Sequence, residues 1–198
     1  AISVHDPAQA YVSRAALKLI AGLDHFRFDV SDCEALDVGA STGGFTQVLL
    51  ERGAAHVTAI DVGHGQIHDS IASDPRVTSI EGLNARDLTS VDLGGRTPDF
   101  IVSDVSFISL KLALPPALSL AKAGARALLL VKPQFEAGKG AIGKGGLLKD
   151  TADADRVAGD LQGWLDTLPG WRALGLCPSP IEGGDGNREF LLGGIKDK

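Results

Sequence analysis

Charged side chains stand where this sequence predicts that buried strands end. Asp104 closes one short apolar run and Lys132 closes another. In a wound parallel sheet the carboxyl ends of the strands share one edge, where ligands bind, and flanking segments can bring Lys18 and Glu189 to it. Two amines and two carboxylates there could orient a weak nucleophile such as a hydroxyl and take up its proton or its developing charge. Surface salt bridges are the alternative, and the placement of both Asp104 and Lys132 at strand ends favours chemistry.

A glycine-rich turn lies between a predicted strand and a predicted helix within residues 35–53. Its small residues and the helix start leave backbone N–H groups free to face a nucleotide-like ligand. The dinucleotide fingerprint G-x-G-x-x-G is broken by Ser41. The hydrolase motif G-x-S-x-G is matched, but every histidine lies at or before His68, so Ser41 lacks a base in the required order. The turn residues predicted to contact a cofactor are Gly39, Ala40, Ser41, Thr42 and Gly43.

The remaining interpretation is a fold that binds S-adenosylmethionine (SAM). Asp61 ends the second predicted strand 22 residues after Gly39, where a carboxylate can accept hydrogen bonds from both ribose hydroxyls of an adenosine. A helix cap is the alternative role for Asp61. Asn84 and Ala85 follow the third strand and are predicted to face the adenine edge. Phe107 is predicted either to stack on a base or sugar or to belong to the core.

The alternation of strands and helices predicts an α/β protein with a seven-stranded, mostly parallel sheet, helices on both faces and one antiparallel strand. We expect a linker or N-terminal arm over residues 1–10 and one domain over residues 11–198. The first helix is predicted over residues 12–23 with Ser13 as its cap, and a helix over 109–122 is predicted to break at the two prolines 115 and 116.

The composition limits the classes of function. With a net charge of −6, 44% hydrophobic residues and no apolar run of membrane-spanning length, the sequence predicts a cytoplasmic globular protein that binds no membrane and no metal. Any nucleic-acid site must then be local. The candidate basic residues are Arg14 and Lys18 near the start and Lys139, Lys144 and Lys149 after the fifth strand. Ordinary surface residues are the alternative interpretation of both groups, and charge alone does not reject it.

Six short segments resemble one known family. They are VSRAALKL (12–19), DVGASTGGFT (37–46), DVGHGQ (61–66), DVSFISL (104–110), KPQFEAG (132–138) and GNREFLL (186–192). In this order they are similar to the TlyA or hemolysin A family, a branch of the FtsJ-like ribose 2′-O-methyltransferases with a Rossmann-like SAM-dependent methyltransferase fold.

The resemblance implies a SAM-dependent enzyme that acts on ribosomal RNA or ribosomal subunits. It places the family's catalytic Lys-Asp-Lys-Glu tetrad on Lys18, Asp104, Lys132 and Glu189, and Asp104 is also predicted to contact the amino group of the cofactor. The family carries a small N-terminal RNA-binding module, which we expect to be missing from this sequence.

Several alternatives stay open at this point. Lys132 is either the base for the hydroxyl or a charged group that stabilises the alkoxide. The rival functions are a membrane-active hemolysin, a SAM- and RNA-binding protein without activity, and a 2′-O-methyltransferase for another class of RNA. The sequence does not determine the target nucleotide, the ribosomal subunit or the oligomeric state.

Overall fold

The computed structural model describes residues 6–198, so residues 1–5 of the predicted N-terminal arm lie outside the described residues. Seven strands form one sheet in the order β3-β2-β1-β4-β5-β7-β6. Neighbouring strands run parallel except β7, which is antiparallel to both β5 and β6. The strands are β1 (Glu34–Val38), β2 (His56–Ile60), β3 (Val77–Ile80), β4 (Phe100–Ser103), β5 (Arg126–Val131), β6 (Trp171–Pro178) and β7 (Phe190–Lys196). The predicted fold is confirmed.

Helices cover both faces of this sheet. They are α1 (Ala15–Phe26), α2 (Gly44–Glu51), α3 (Asp69–Ala72), α4 (Leu110–Ala113), α5 (Pro115–Leu120) and α6 (Ala152–Thr167). One apolar core lies under α1 and α2, and a second lies under α4, α5 and α6. The central strands are buried on both faces, which explains their nearly uninterrupted apolar sequences. Within residues 6–198, none of the helices is long and apolar enough to cross a membrane.

The first helix begins later than predicted, at Ala15 instead of residue 12. Ser13 does accept a hydrogen bond at the helix start, from the backbone N–H of Ala15 at 3.1 Å. The side chain of Gln47, on α2, accepts from the N–H of Val12 at 2.9 Å and so holds the preceding segment outside the helix. A contact between residues 35 positions apart overrides the local helical pattern.

The predicted break in the helix after β4 is confirmed. Leu114 separates α4 from α5, and Pro115 and Pro116 stand in the first turn of α5, where a missing N–H costs nothing. The other end of α5 is held by Lys196, the last residue of β7. Its buried Nζ donates to the carbonyl oxygens of three residues at 2.6 to 3.2 Å: Leu118, Ser119 and Ala121.

Candidate active site

Lys132 and Asp104 form an ion pair at the carboxyl edge of the sheet, the edge where the parallel strands end. The Nζ atom of Lys132 lies 2.6 Å from Oδ1 of Asp104 and donates to Oγ of Ser106 at 2.8 Å. Both side chains are mostly buried, with 13% and 21% of their surface exposed. The amine is therefore fixed by two partners from the loop after β4 and keeps a small exposed fraction.

The second ion pair joins Lys18 on α1 to Glu189, the residue before β7. Its Nζ and Oε1 atoms are 2.6 Å apart, with only 9% and 2% of the side-chain surfaces exposed. Water is excluded from both groups, so each charge is neutralised by its partner alone. The glycine at position 183 permits this packing, since a Cβ there would collide with the Glu189 carboxylate.

The register of the sheet brings the two pairs together. The last rung of the antiparallel β5–β7 ladder pairs Val131 with Phe190, and Lys132 and Glu189 are the adjacent residues of the two chain segments at that end. Asp104 follows β4, the other neighbour of β5. The four residues of the predicted tetrad thus meet at one edge as two ion pairs, an arrangement that the sequence alone did not specify.

A pocket of about 480 Å³ opens beside this edge. A second hollow of about 60 Å³ shares Gly39, Ser41 and Asp104 with it. Of the residues predicted to bind a cofactor, the large pocket is lined by Gly39, Ser41, Asp61, Asn84, Ala85 and Asp104, and the small hollow adds Ala40 and Thr42.

Gly43 does not line either space. Its φ is +103°, a value that side chains rarely adopt, and a Cβ there would lie 3.1 Å from Ile71. Gly39 also has a positive φ, +79°, and a Cβ there would lie 2.5 Å from the carbonyl oxygen of Asp104. Both glycines are required for close packing of protein segments, and at Gly39 this packing brings the ends of β1 and β4 together.

The carboxylate of Asp61 is oriented by the chain around it. Oδ2 accepts from the N–H of Ser41 and Oδ1 from the N–H of Gly63, each at 2.8 Å. Each oxygen retains a lone pair, so the group can still accept hydrogen bonds from a diol in the pocket. Asn84 uses its Oδ1 to cap the turn at Arg86, at 3.0 Å, which leaves its amide N–H₂ to donate to a ligand.

Asp37, inside β1, is a buried acid that the sequence motifs did not single out. One oxygen accepts from Oγ1 of Thr46 at 2.7 Å, and the other has no hydrogen-bond partner among the described residues. Burial raises the pKa of this carboxyl to about 7, although the Thr46 hydrogen bond opposes the shift; the nearby charges of Asp104 and Asp61 raise the pKa further. An acid between the apolar residues Leu36 and Val38 was the available signal.

Three further residues at the site were not predicted. Ser106 holds the Lys132 amine, and Gln66 lines the pocket. Glu136 accepts from Oγ of Ser109 at 2.5 Å and from the N–H of Leu110 at 2.8 Å, so it connects the loop after β5 to the start of α4. Burial raises the pKa of Glu136.

Phe107 lies on the surface and not in the core. It is 88% exposed with a φ of +65°, and its ring centroid lies 4.9 Å from that of Phe135. The predicted core position is therefore wrong, and stacking on a base or sugar stays a prediction. The structure contains no cluster of three potential metal ligands within residues 6–198.

Comparison with known proteins matches this architecture to one family. The FtsJ-like methyltransferase profile matches residues 11–196. The 16S/23S rRNA (cytidine-2′-O)-methyltransferase TlyA of Mycobacterium tuberculosis is 47% identical over 96% of this chain and 70% of its own length. Hemolysin A of Brachyspira hyodysenteriae is 40% identical over 91% of this chain and 75% of its own.

Solved structures give the same result. A protein from Lactococcus lactis, provisionally named a hemolysin, superposes with a TM-score of 0.90 at 41% identity and covers 94% of this chain and 89% of its own. The magnesium protoporphyrin IX methyltransferase of Synechocystis shares the fold at 12% identity, with a TM-score of 0.61 over 99% of this chain and 90% of its own. With five strands ending at a common edge, a nucleotide-sized pocket and a profile match over nearly its whole length, the chain belongs to the FtsJ-like methyltransferase family.

Proposed function

We propose that this chain transfers the methyl group of SAM to a ribose 2′-hydroxyl of ribosomal RNA. The observation that carries the proposal is the Lys132–Asp104 ion pair, 2.6 Å long and fixed by Ser106, beside the 480 Å³ pocket. Relatives at 47% and 37% identity that are named rRNA (cytidine-2′-O)-methyltransferases support ribosomal RNA as the substrate and cytidine as the modified nucleotide.

The residues around the pocket suit SAM. Asp61 would accept the two ribose hydroxyls, Asn84 and Ala85 would face the adenine, and the turn from Gly39 would lie under the methionyl part. Asp104 would form an ion pair with the amino group of SAM. When bound, SAM supplies a methyl group on a positively charged sulfur.

Lys132 acts on the attacking hydroxyl. A ribose hydroxyl becomes a competent nucleophile only as it loses its proton, so negative charge develops on its oxygen during the attack. Lys132 already forms an ion pair with Asp104 at 2.6 Å, and an amine held in this way is suited to stabilise the developing negative charge. We therefore assign Lys132 the electrostatic role and not that of the base. The hydroxyl proton leaves to water, because Asp104 is occupied by the Lys132 amine and by the amino group of SAM.

Lys18 would orient the sugar, and Glu189 would hold Lys18 in position. Their ion pair is almost completely buried, so its geometry is fixed before the substrate arrives, and Lys18 is the member with the larger exposed fraction, 9% against 2%. Preorganised groups of this kind align the hydroxyl with the methyl group and reduce the reorganisation needed at reaction.

The test is methyl transfer from labelled SAM to purified ribosomal subunits, followed by mapping of 2′-O-methyl marks on the RNA. We expect new marks on cytidines of subunits that lack them. Lys132→Ala should lower the rate at least about 100-fold while SAM binding, measured by calorimetry, stays within about twofold. Equal losses of rate and SAM affinity would contradict the role of Lys132.

Controls separate the alternative functions. Transfer RNA in place of subunits tests for another class of RNA, and methylation of it alone would contradict a ribosomal substrate. Leakage of dye from anionic liposomes tests for a membrane-active hemolysin. SAM binding without any methyl transfer would indicate a binding protein without activity. We place the enzyme in the cytoplasm, where its substrate is assembled.

A further inference from the structure

The loop after β5 concentrates positive charge in an acidic chain. Residues 138–149, which we call the basic loop, contain Lys139, Lys144 and Lys149 and no acidic residue, whereas the whole chain carries a net charge of −6. All three lysines are exposed. None of the ion pairs described for residues 6–198 involves them, so their amines are available to a polyanion.

One side chain fastens this loop to the rest of the protein. Nδ2 of Asn187 donates to the carbonyl oxygen of Gly146 at 2.9 Å, and its Oδ1 accepts from the N–H of Leu148 at 3.0 Å. Asn187 is only 4% exposed. A buried amide that uses both its donor and its acceptor on one loop fixes that loop in position and in register.

The turn that carries Asn187 also leads to the tetrad. The N–H of Gly183 donates to the carbonyl oxygen of Asn187 at 2.9 Å, which closes the turn two residues before Glu189. Asp185 within the turn accepts from Nε2 of Gln134 at 3.1 Å, and Gln134 lies two residues after Lys132. The basic loop is therefore anchored between the segments that carry Glu189 and Lys132.

We propose that Asn187 is a positioning residue that holds the basic loop beside the tetrad, so that Lys139, Lys144 and Lys149 bind phosphates of the RNA substrate. The inference rests on the proposed function, because it assigns the RNA-binding surface of the same reaction. We call the two hydrogen bonds of the Asn187 side chain to this loop the Asn187 contact. Next to that contact the side chain of Leu148 packs against the core, so both apolar contact and hydrogen bonds hold the loop.

Two variants test the Asn187 contact. Asn187→Leu removes both hydrogen bonds at similar volume, and Asn187→Asp keeps the acceptor for Leu148 but replaces the donor to Gly146. With ribosomal subunits as substrate, we expect Asn187→Leu to raise KM for RNA about tenfold, with kcat and SAM affinity within about twofold. Hydrogen exchange at the Leu148 amide of the free protein should be faster by at least about tenfold in the Leu variant, and by less in the Asp variant, which keeps the acceptor for that amide.

A double-mutant cycle tests whether Asn187 acts through the lysines. The combined variant Lys139→Ala, Lys144→Ala, Lys149→Ala should raise KM for RNA and lower the salt dependence of binding by about 0.7 per lost phosphate contact. Asn187→Leu added to this background should have no further effect on KM. Lys122→Ala is the control for the loss of one lysine outside the basic loop, because Lys122 pairs with Asp99 at the opposite edge of the sheet.

The outcomes separate this inference from the proposed function. A fall in kcat at unchanged KM, additive effects in the cycle, or unchanged exchange at Leu148 would overturn the role of Asn187 while methylation by the parent protein still supports the function. A parent protein that methylates no ribosomal RNA would contradict the function. Hydrogen exchange at the Leu148 amide would then still test the Asn187 contact, and equilibrium binding of RNA by the lysine variants would test the basic loop.

Discussion

Replacing Lys18 by methionine should destabilise the fold strongly, because it leaves the Glu189 carboxylate buried without a counter-charge. The substitution keeps the apolar stem and removes only the amine that lies 2.6 Å from Oε1. Because only 2% of the Glu189 side chain is exposed, water cannot hydrate its carboxylate once the amine is removed. Breaking a buried pair in this way costs about 3 to 5 kcal/mol, which for a chain of this size lowers Tm by roughly 6 to 20 °C.

The double variant Lys18→Met, Glu189→Leu separates stability from catalysis. Replacing both charges by apolar side chains removes the unpaired carboxylate, so we expect the free energy of unfolding to return to within about 1 kcal/mol of the parent value. Methyl transfer should be lost in the single and the double variants alike, because the reaction needs the charges. Urea unfolding followed by circular dichroism measures the first quantity, and labelled SAM with ribosomal subunits measures the second.

An exposed ion pair provides the matched control. Arg156 on α6 lies 3.0 Å from Asp153 with 59% of its side chain exposed, and Arg156→Met should cost less than about 1 kcal/mol. The reasoning would be refuted if Lys18→Met were as mild as this control, since the pair would then be screened by solvent. It would also be refuted if the double variant were as unstable as the single variant.

Three further outcomes follow from named contacts. Asp61→Asn should weaken SAM binding about 10- to 100-fold, measured by calorimetry, while kcat at saturating SAM changes little, because the proposed ligand of Asp61 is the cofactor ribose and not the RNA. Folding raises the pKa of Asp37 from 3.8 to about 7, so between these pH values the folded protein binds a proton that the unfolded chain does not. The free energy of unfolding therefore falls as the pH rises through that interval. Asp37→Asn should remove about 4 kcal/mol of this pH dependence, measured by urea titrations between pH 4 and 8. Lys196→Met leaves three carbonyl oxygens of the α5 end without a donor and should cost roughly 2 to 4 kcal/mol in the same assay, with methyl transfer unchanged because Lys196 lies at the far edge of the sheet.

The strand ends could be predicted from the sequence because their chemistry is local. Asp104 and Lys132 each interrupt an apolar run at its carboxyl end, and a parallel sheet puts such ends on one edge. The partners of the two lysines are not local. Which carboxylate meets which amine depends on the β5–β7 register and on the angle at which α1 crosses the sheet, and neither is encoded in a short pattern.

Long-range contacts also set the details that prediction missed. The start of α1 depends on Gln47, and the positions of Gly39 and Gly43 are required by Asp104 and Ile71, which are remote in sequence. Both glycines have a positive φ, but at Gly43 the adjacent space is filled by Ile71. A glycine pattern therefore predicts the backbone conformation of a turn more securely than it predicts which atoms will approach it.

The single reversed strand is what completes the tetrad. If β7 ran parallel to β5, its first residues would lie at the amino edge of the sheet, and Glu189 would be separated from Lys132 by the length of the strand. Because β7 runs antiparallel, the residue before it reaches the carboxyl edge, where the strand-end residues Asp104 and Lys132 already lie. The same reversal carries Lys196, at the other end of β7, to the carbonyl groups that end α5. One inverted strand thus adds an acid to the edge that carries the proposed tetrad and fastens a helix at the opposite edge, so the Lys196 end can be destabilised without changing the tetrad.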